Sequence, residues 1–377
     1  MRTRACTILA ALVLLTLLPS VSTAATWCVR NGTELQQALT DAAASSSDDE
    51  IRVREGIYTV FNQPFTYNSQ NAGWLFVTGG WYTIDNNDCA QQRLEASRTI
   101  LEGAGQHQVL RLYRQNGSTL TSRIGVQNLT LTNGWGDPSL NQQGGALVMA
   151  SYADAYTELW LDNLVVSNSS AQFGGGAELY VTNGMVRVAN SLFANNNAAI
   201  AEAHIAISAP STEPGATSAV ILANSTFVGG RCPGGSGRGC SVRAGLGGGV
   251  RMDIVNSLFH DNQISDVDLE GLAFVGLGDG TAYADSSLVA TTGGSLVLDA
   301  TRALAGDPHF IDAPNRNYRL RDDSPFINQG LGMVPLYPFF SADLDGQLRT
   351  RDGTLDPGAY ENRTWDFIFA NGFDSEG

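Results

Sequence analysis

A six-residue phrase returns five times through the middle of this chain: Asn, two residues, a bulky apolar residue, one residue, then usually Asn. It reads NLTLTN from Asn128, NLVVSN from Asn163, NSLFAN from Asn190, NSTFVG from Asn224 and NSLFHD from Asn256, with successive starts 35, 27, 34 and 32 residues apart. A repeat near thirty residues, built of β-formers and Asn, predicts a solenoid rather than a compact globule. Alternation gives the element type. Two and four residues before each Asn stand Val126 and Ile124, Leu161 and Leu159, Val188 and Val186, Leu222 and Val220, Ile254 and Met252. Three residues before it the column is mixed: Gly125, Trp160, Arg187, Ile221, Asp253. Period two with one constant apolar face is a half-buried strand.

A second strand type follows glycines, in GGALVMA from Gly144 and GGAELYV from Gly175, with AHIAI from Ala203 aligned to them without its glycines. On that alignment Ala146/Val148/Ala150, Ala177/Leu179/Val181 and Ala203/Ile205/Ile207 point inward. Two or three short strands per turn, stacked in parallel, make a β-helix. At ~4.8 Å per coil, about eight coils give a rod of roughly 40 Å. The recurring Asn can form an amide ladder, and Phe193, Phe227 and Phe259 can stack inside. The sequons NLT, NSS and NST read as by-products of that ladder rather than glycosylation acceptors.

The expected layout is a signal peptide over 1–25, a cap with the first coils over 26–120, and repeats over 121–300. C-terminal coils and a cap over 301–361 and a tail over 362–377 complete it. Arg2, Arg4, the apolar stretch Ile8 to Leu18 and Ser22-Thr23-Ala24 carry the signal-peptide reading. Thr33 with Gln36 predicts a capping box opening a short amphipathic helix that covers the first coil, with Leu35, Ala38, Leu39 and Ala42 on one face. No other segment approaches the roughly 20 apolar residues of a transmembrane helix. The fold class is therefore all-β, a parallel β-helix solenoid with a short N-terminal capping helix.

Composition narrows the chemistry. The net charge is −15, and −17 without Arg2 and Arg4, which disfavours nucleic acid and anionic membrane as partners. The chain has no lysine, so a Schiff base or lysine base is excluded and every cation is Arg. Export makes the four cysteines after Cys6 read as disulfides. Cys28 with Cys89, and Cys232 with Cys240 across a Gly-rich loop, is the simplest pairing.

The N-x-x-F-x-N and GGA phrases resemble repeats of bacterial right-handed parallel β-helix proteins, the pectin-lyase-like superfamily, and are similar to units of polymorphic outer-membrane proteins. GDPHF (Gly306 to Phe310), NYRLRDDSPFINQG (Asn317 to Gly330) and DLDGQLRTRDGTLDPGAYE (Asp343 to Glu361) resemble a choice-of-anchor Q region. Ile327-Asn328 stands where that pattern has Ile-Asp. The resemblance implies a right-handed coil and, in many relatives, action on acidic polysaccharide. The GHG and RxK motifs of polygalacturonase-type enzymes are absent here, as are the WxDH and RxPxxR strands of pectate-lyase-type enzymes.

Three constellations carry candidate chemistry. Arg231, Arg238, Arg243 and Arg251 cluster around the cysteine-closed loop and read either as a cationic lip gripping uronate or sulfate or as scattered solvated charges. Glu178 beside His204, expected near 5 Å apart on adjacent coils, reads as an acid/base pair or a surface ion pair, with Tyr180 along the same face. Asp-rich turns at Asp85, Asp266 and Asp343/Asp345/Asp352/Asp356 read as calcium ligands or as ordinary turn residues. No cofactor is expected apart from that calcium. The expected role is a secreted bacterial protein, monomeric, working at the cell surface or in the extracellular matrix and binding polysaccharide or an envelope component. The competing class is a polysaccharide lyase or hydrolase acting on an acidic glycan.

Overall fold

A computed structural model describes residues 24–85, 87–115, 121–210, 219–234, 240–263, 265–272, 281–289, 292–332, 342–349 and 354–362. The proposed signal peptide up to residue 23, Arg238, Asp352 and the tail from 363 lie outside the described residues. The chain winds as a parallel β-helix. One long sheet takes a strand from each coil, including Asp49–Arg54, Leu75–Ile84, Ser122–Thr132, Thr157–Ser167, Gly184–Ala189, Ala219–Ala223, Arg251–Val255 and Thr281–Leu288. A second sheet stacks Phe65–Ser69, Leu110–Arg114, Leu147–Ser151, Ala177–Val181, Ile205–Ala209, Val242–Gly247, Val267–Leu272 and Thr292–Gly294 in parallel.

The first sheet keeps the register that anchoring on Asn predicts. Ile124 pairs with Leu159, Leu159 with Val186, Val186 with Val220 and Val220 with Met252, and all ten column residues are fully buried. The Asn residues themselves turn the corner. Asn128, Asn163, Asn190, Asn224 and Asn256 hold φ between 47° and 55°, the left-handed region. The far end of the phrase does the same at Asn133, Asn168, Asn195, Gly229 and Asp261. Asn tolerates this conformation better than other side-chain-bearing residues, and Gly at no cost. The phrase is thus two left-handed corners bracketing a short strand such as Leu192–Ala194, Thr226–Val228 or Leu258–His260.

The amide ladder forms in pairs. Asn163 Nδ2 donates to Asn128 Oδ1 at 2.8 Å and Asn224 to Asn190 at 3.5 Å, but Asn190 donates instead to Asp162 at 3.2 Å. A serine ladder runs beside it. The amides of Leu164, Ser191, Ser225 and Ser257 donate to Oγ of Ser191, Ser225, Ser257 and Ser287, one coil on, at 3.0–3.3 Å. Inside, Phe193 stacks on Phe227 at 5.2 Å and Phe227 on Phe259 at 4.6 Å between ring centroids.

Two expectations are corrected. The helix Gly32–Ala44 is capped by Asn31, whose side chain accepts from Glu34 N, while Glu34 accepts from Arg30 N; the capping box sits two residues before Thr33. Gln36 is freed to close the sheet edge, donating to Thr66 O at 3.0 Å and accepting from Thr66 N at 2.8 Å, as a neighbouring strand would. In the second sheet the GGA alignment slips by one residue. Leu147 and Met149, not Val148, align with Ala177 and Leu179, because Ala146 still belongs to the corner. Among the described residues after about 305, several lie along the flank of the coils: Tyr318, Leu344, Ala359 and Tyr360 pack on Ala96, Leu192, Ala194 and Val228, and Leu320 and Phe326 pack on Leu258 and Leu288. Both proposed disulfides are present, Cys28–Cys89 and Cys232–Cys240.

Candidate functional site

Along Ala177–Val181 the side chains alternate, Leu179 inward and Glu178 and Tyr180 outward. Parallel register lines these outward residues up across coils. One row runs Arg111, Val148, Glu178, Ala206, Arg243 and the next runs Tyr113, Ala150, Tyr180, Ser208, Gly245. Ala206, between Glu178 and Arg243, and Ser208, beside Tyr180, leave a cleft of about 230 Å³. Glu178, Tyr180 and Arg243 all line it, joined by Glu202 and by Phe173 from the corner before the strand.

Glu202 enters from a left-handed corner, φ 59°, with its carboxylate buried and Oε1 3.2 Å from Arg243 Nη1. Glu178 carries a pKa raised above the ordinary carboxylate range, because burial disfavours its charged form; the Arg111 guanidinium offsets part of that. Beside the cleft Tyr180 packs on Tyr152 at 5.1 Å, and Arg111 donates to the Tyr113 hydroxyl at 2.9 Å. The result is a polar groove with aromatic sides and two carboxylates for one Arg.

His204 is not part of it. Ala177 pairs with Ile205 and Glu178 with Ala206, so the imidazole falls one position before the strand and turns inward. It is fully buried, with Nδ1 3.1 Å from Asn196 Nδ2 and Nε2 3.1 Å from Asn262 Oδ1, against the rings of Phe193 and Phe227. Burial lowers its pKa to about 3, and it stays neutral. Gly230 leaves it room: a Cβ there would lie 3.0 Å from His204 Nε2. The partner of Glu178 across the cleft is Glu202, whose replacement of a glycine in the repeat was the available signal.

The cationic lip is likewise dispersed. Arg243 lies on the second sheet, Arg251 on the first, and Arg231 bridges Asn197 at a corner between them. Arg231 is 2.7 Å from Asp261, and Arg251 is 2.7 Å from Asp253 and stacks over Tyr283. Twenty residues of chain pass around most of one coil, so sequence neighbours face different directions. Among the described residues no group of three or more His, Cys, Asp or Glu is placed to hold a metal. Two carboxylates of the 343–356 group serve backbone amides. Asp343 accepts from Asp345, Gln347 and Glu361 N, and Asp356 accepts from Asn328 and Asn362 N. No helix among the described residues is long and apolar enough to cross a membrane.

No family model matches the chain, and no curated protein does. Among solved structures, the crystal structure of pectate lyase Pel9A is similar over 91% of this chain and 98% of its own, at 13% identity and a TM-score of 0.36. At that score the likeness adds nothing to what the sheets themselves establish.

Proposed function

We propose that this protein is an exported polysaccharide-binding β-helix, with the cleft over Ala206 as its sugar site. The observation that carries this is the cleft over Ala206 and Ser208, lined by Glu178, Tyr180, Phe173, Glu202 and Arg243. Aromatic sides suit the C–H faces of a sugar ring, and the carboxylates and Arg suit its hydroxyls. The signal-like first 25 residues and two disulfides support an extracellular or surface setting, to which the choice-of-anchor resemblance of 301–361 adds. With two carboxylates and one ion-paired Arg, the cleft favours a neutral polymer over the acidic glycan read from the Arg cluster. A lyase needs a base to take the proton α to a carboxylate, and the one Arg lining the cleft is already paired with Glu202.

Electrophoresis through gels carrying xylan, mannan, β-glucan, pectate or alginate tests the reading. Retention by a neutral polymer, abolished in Tyr180→Ala and in the cleft-filling Ala206→Leu, is the expected result. Unretarded migration in every gel would refute it.

A further inference from the structure

The outward face of the second sheet carries more than the cleft. Tyr113, Ala150, Tyr180 and Ser208 stand on successive coils in one row. Ala150 faces outward between Tyr113 and Tyr180 and is nonetheless buried. Tyr152, the next outward position of that coil, packs on Tyr180 at 5.1 Å while remaining 40% exposed, with Arg111, Tyr113 and Glu178 as further electrostatic neighbours. Three tyrosines from three successive coils thus form a strip that runs along the rod and ends in the cleft over Ser208 and Ala206. Beside it Arg111 donates twice to the Tyr113 hydroxyl, at 2.9 and 3.2 Å, with its guanidinium 5.2 Å from that ring's centroid. Three of its five N–H donors have no partner among the described residues.

Resting on the glycan-binding reading, we propose that the tyrosine strip is a second subsite of the same groove: a neutral polysaccharide holds one stretch of its chain in the cleft and lays the following sugars over Tyr180, Tyr152 and Tyr113. The strip gives the polymer its direction. In a parallel sheet like positions align across coils, so a row of rings follows the rod axis. Along a strand the outward positions come only at every second residue, and Ala177–Val181 presents just Glu178 and Tyr180 between its corners, too short a platform for a chain lying crosswise. From Ser208 to Tyr113 is three coils, roughly 14 Å at ~4.8 Å per coil, a span longer than a disaccharide. Tyrosine offers a flat apolar face to the C–H face of a sugar ring and keeps a hydroxyl at its wet end, and the Arg111 donors reach ring hydroxyls beside it. Arg111 acts on Glu178 in the neighbouring row, so the strip pairs one cation with one carboxylate and gives a uronate no advantage.

Isothermal titration of the full chain with the biose and hexaose of the xylan, mannan and β-glucan series, and with hexagalacturonic acid as the acidic arm, tests the subsite. For the neutral sugar that binds, the hexaose is expected to bind at least about ten-fold more tightly than the biose, and Tyr113→Ala to cut that ratio by about ten-fold. Tyr152→Ala is expected to cut the ratio too, and Tyr152→Phe, which keeps a ring, to preserve it. A substitution that merely loosens the fold weakens biose and hexaose together and leaves their ratio unmoved. That outcome for Tyr113→Ala and Tyr152→Ala, or equal biose and hexaose affinities in the unaltered protein, overturns the subsite and leaves the cleft reading standing. Binding of no sugar removes both, and tighter binding of hexagalacturonic acid than of every neutral hexaose overturns the neutral class.

Discussion

Arg349 Nε donates to Asn190 Oδ1 at 2.7 Å, tying the C-terminal segment to the corner of a coil 159 residues earlier. The same guanidinium reaches Asn224 O at 3.3 Å, Gly358 O at 3.0 Å and Glu361 Oε1 at 2.9 Å. Nearby, Ala359 N donates to Thr226 Oγ1, and Gly358 N donates to Asn256 O. One buried cation thus joins the corners of two coils to the flanking strap, and the corners supply the acceptors because left-handed turns leave their side chains and carbonyls facing outward.

Arg349→Ala strands Glu361 and the two corner acceptors. Removing one partner of a buried ion pair costs about 3–5 kcal/mol. Urea unfolding is expected to show a loss of that size. A loss below about 1 kcal/mol would mean that the apolar contacts of Tyr318, Leu344 and Tyr360 hold the strap without it.

Asn224 turns its corner at φ 47° while fully buried. Asn224→Ala both strains the backbone, by about 1–2 kcal/mol, and removes the side-chain bond to Asn190. Asn224→Gly removes only the second. Denaturation midpoints should therefore fall further for the Ala variant, and equal losses would locate the role of Asn224 in its amide rather than its backbone.

His204 makes stability pH-dependent. Its folded pKa, about 3, lies below the ordinary value of 6.5, so the unfolded chain binds the proton more readily. The contribution is complete above pH 6.5 and drains as pH falls towards 3. At pH 4.5 it amounts to about 2–3 kcal/mol lost. His204→Gln, which can keep bonds to Asn196 and Asn262, should flatten the acid limb of a stability–pH curve; an unchanged limb would mean that other groups produce it.

The disulfides should contribute unequally. Cys28–Cys89 spans 61 residues and Cys232–Cys240 spans 8. Loop-closure entropy gives about 4 kcal/mol for the first and about 2.5 kcal/mol for the second. Double Ser variants compared by thermal unfolding should rank in that order, and the reverse order would point to native-state packing around the 232–240 loop.

The two inward columns of the first sheet, the Phe stack and both disulfides were legible in the sequence, whereas the cleft was not. The columns were readable because each residue's direction follows from its distance to a corner Asn in its own coil, a local relationship that repeats. The Ser ladder follows the same local offset beside the Asn column, and Ser286, at φ 46°, continues the corner column without an Asn to mark it.

By itself, then, the sequence determined the rod: a period-two pattern with left-handed corners at fixed offsets admits stacked strands and little else. Only the tertiary structure decided the site. Which residues share the cleft depends on how many positions each corner consumes before the next strand begins, and Glu202 consumes enough to send His204 inward and bring Ala206 beside Glu178. It also depends on which way the chain faces along each coil, which separates Arg231 and Arg251 from Arg243 despite their closeness in sequence. The packing of the C-terminal segment has the same cause: Ala359 reaches Thr226 133 positions earlier and Arg349 reaches Asn190 159 positions earlier, and no local periodicity encodes a contact made at that range.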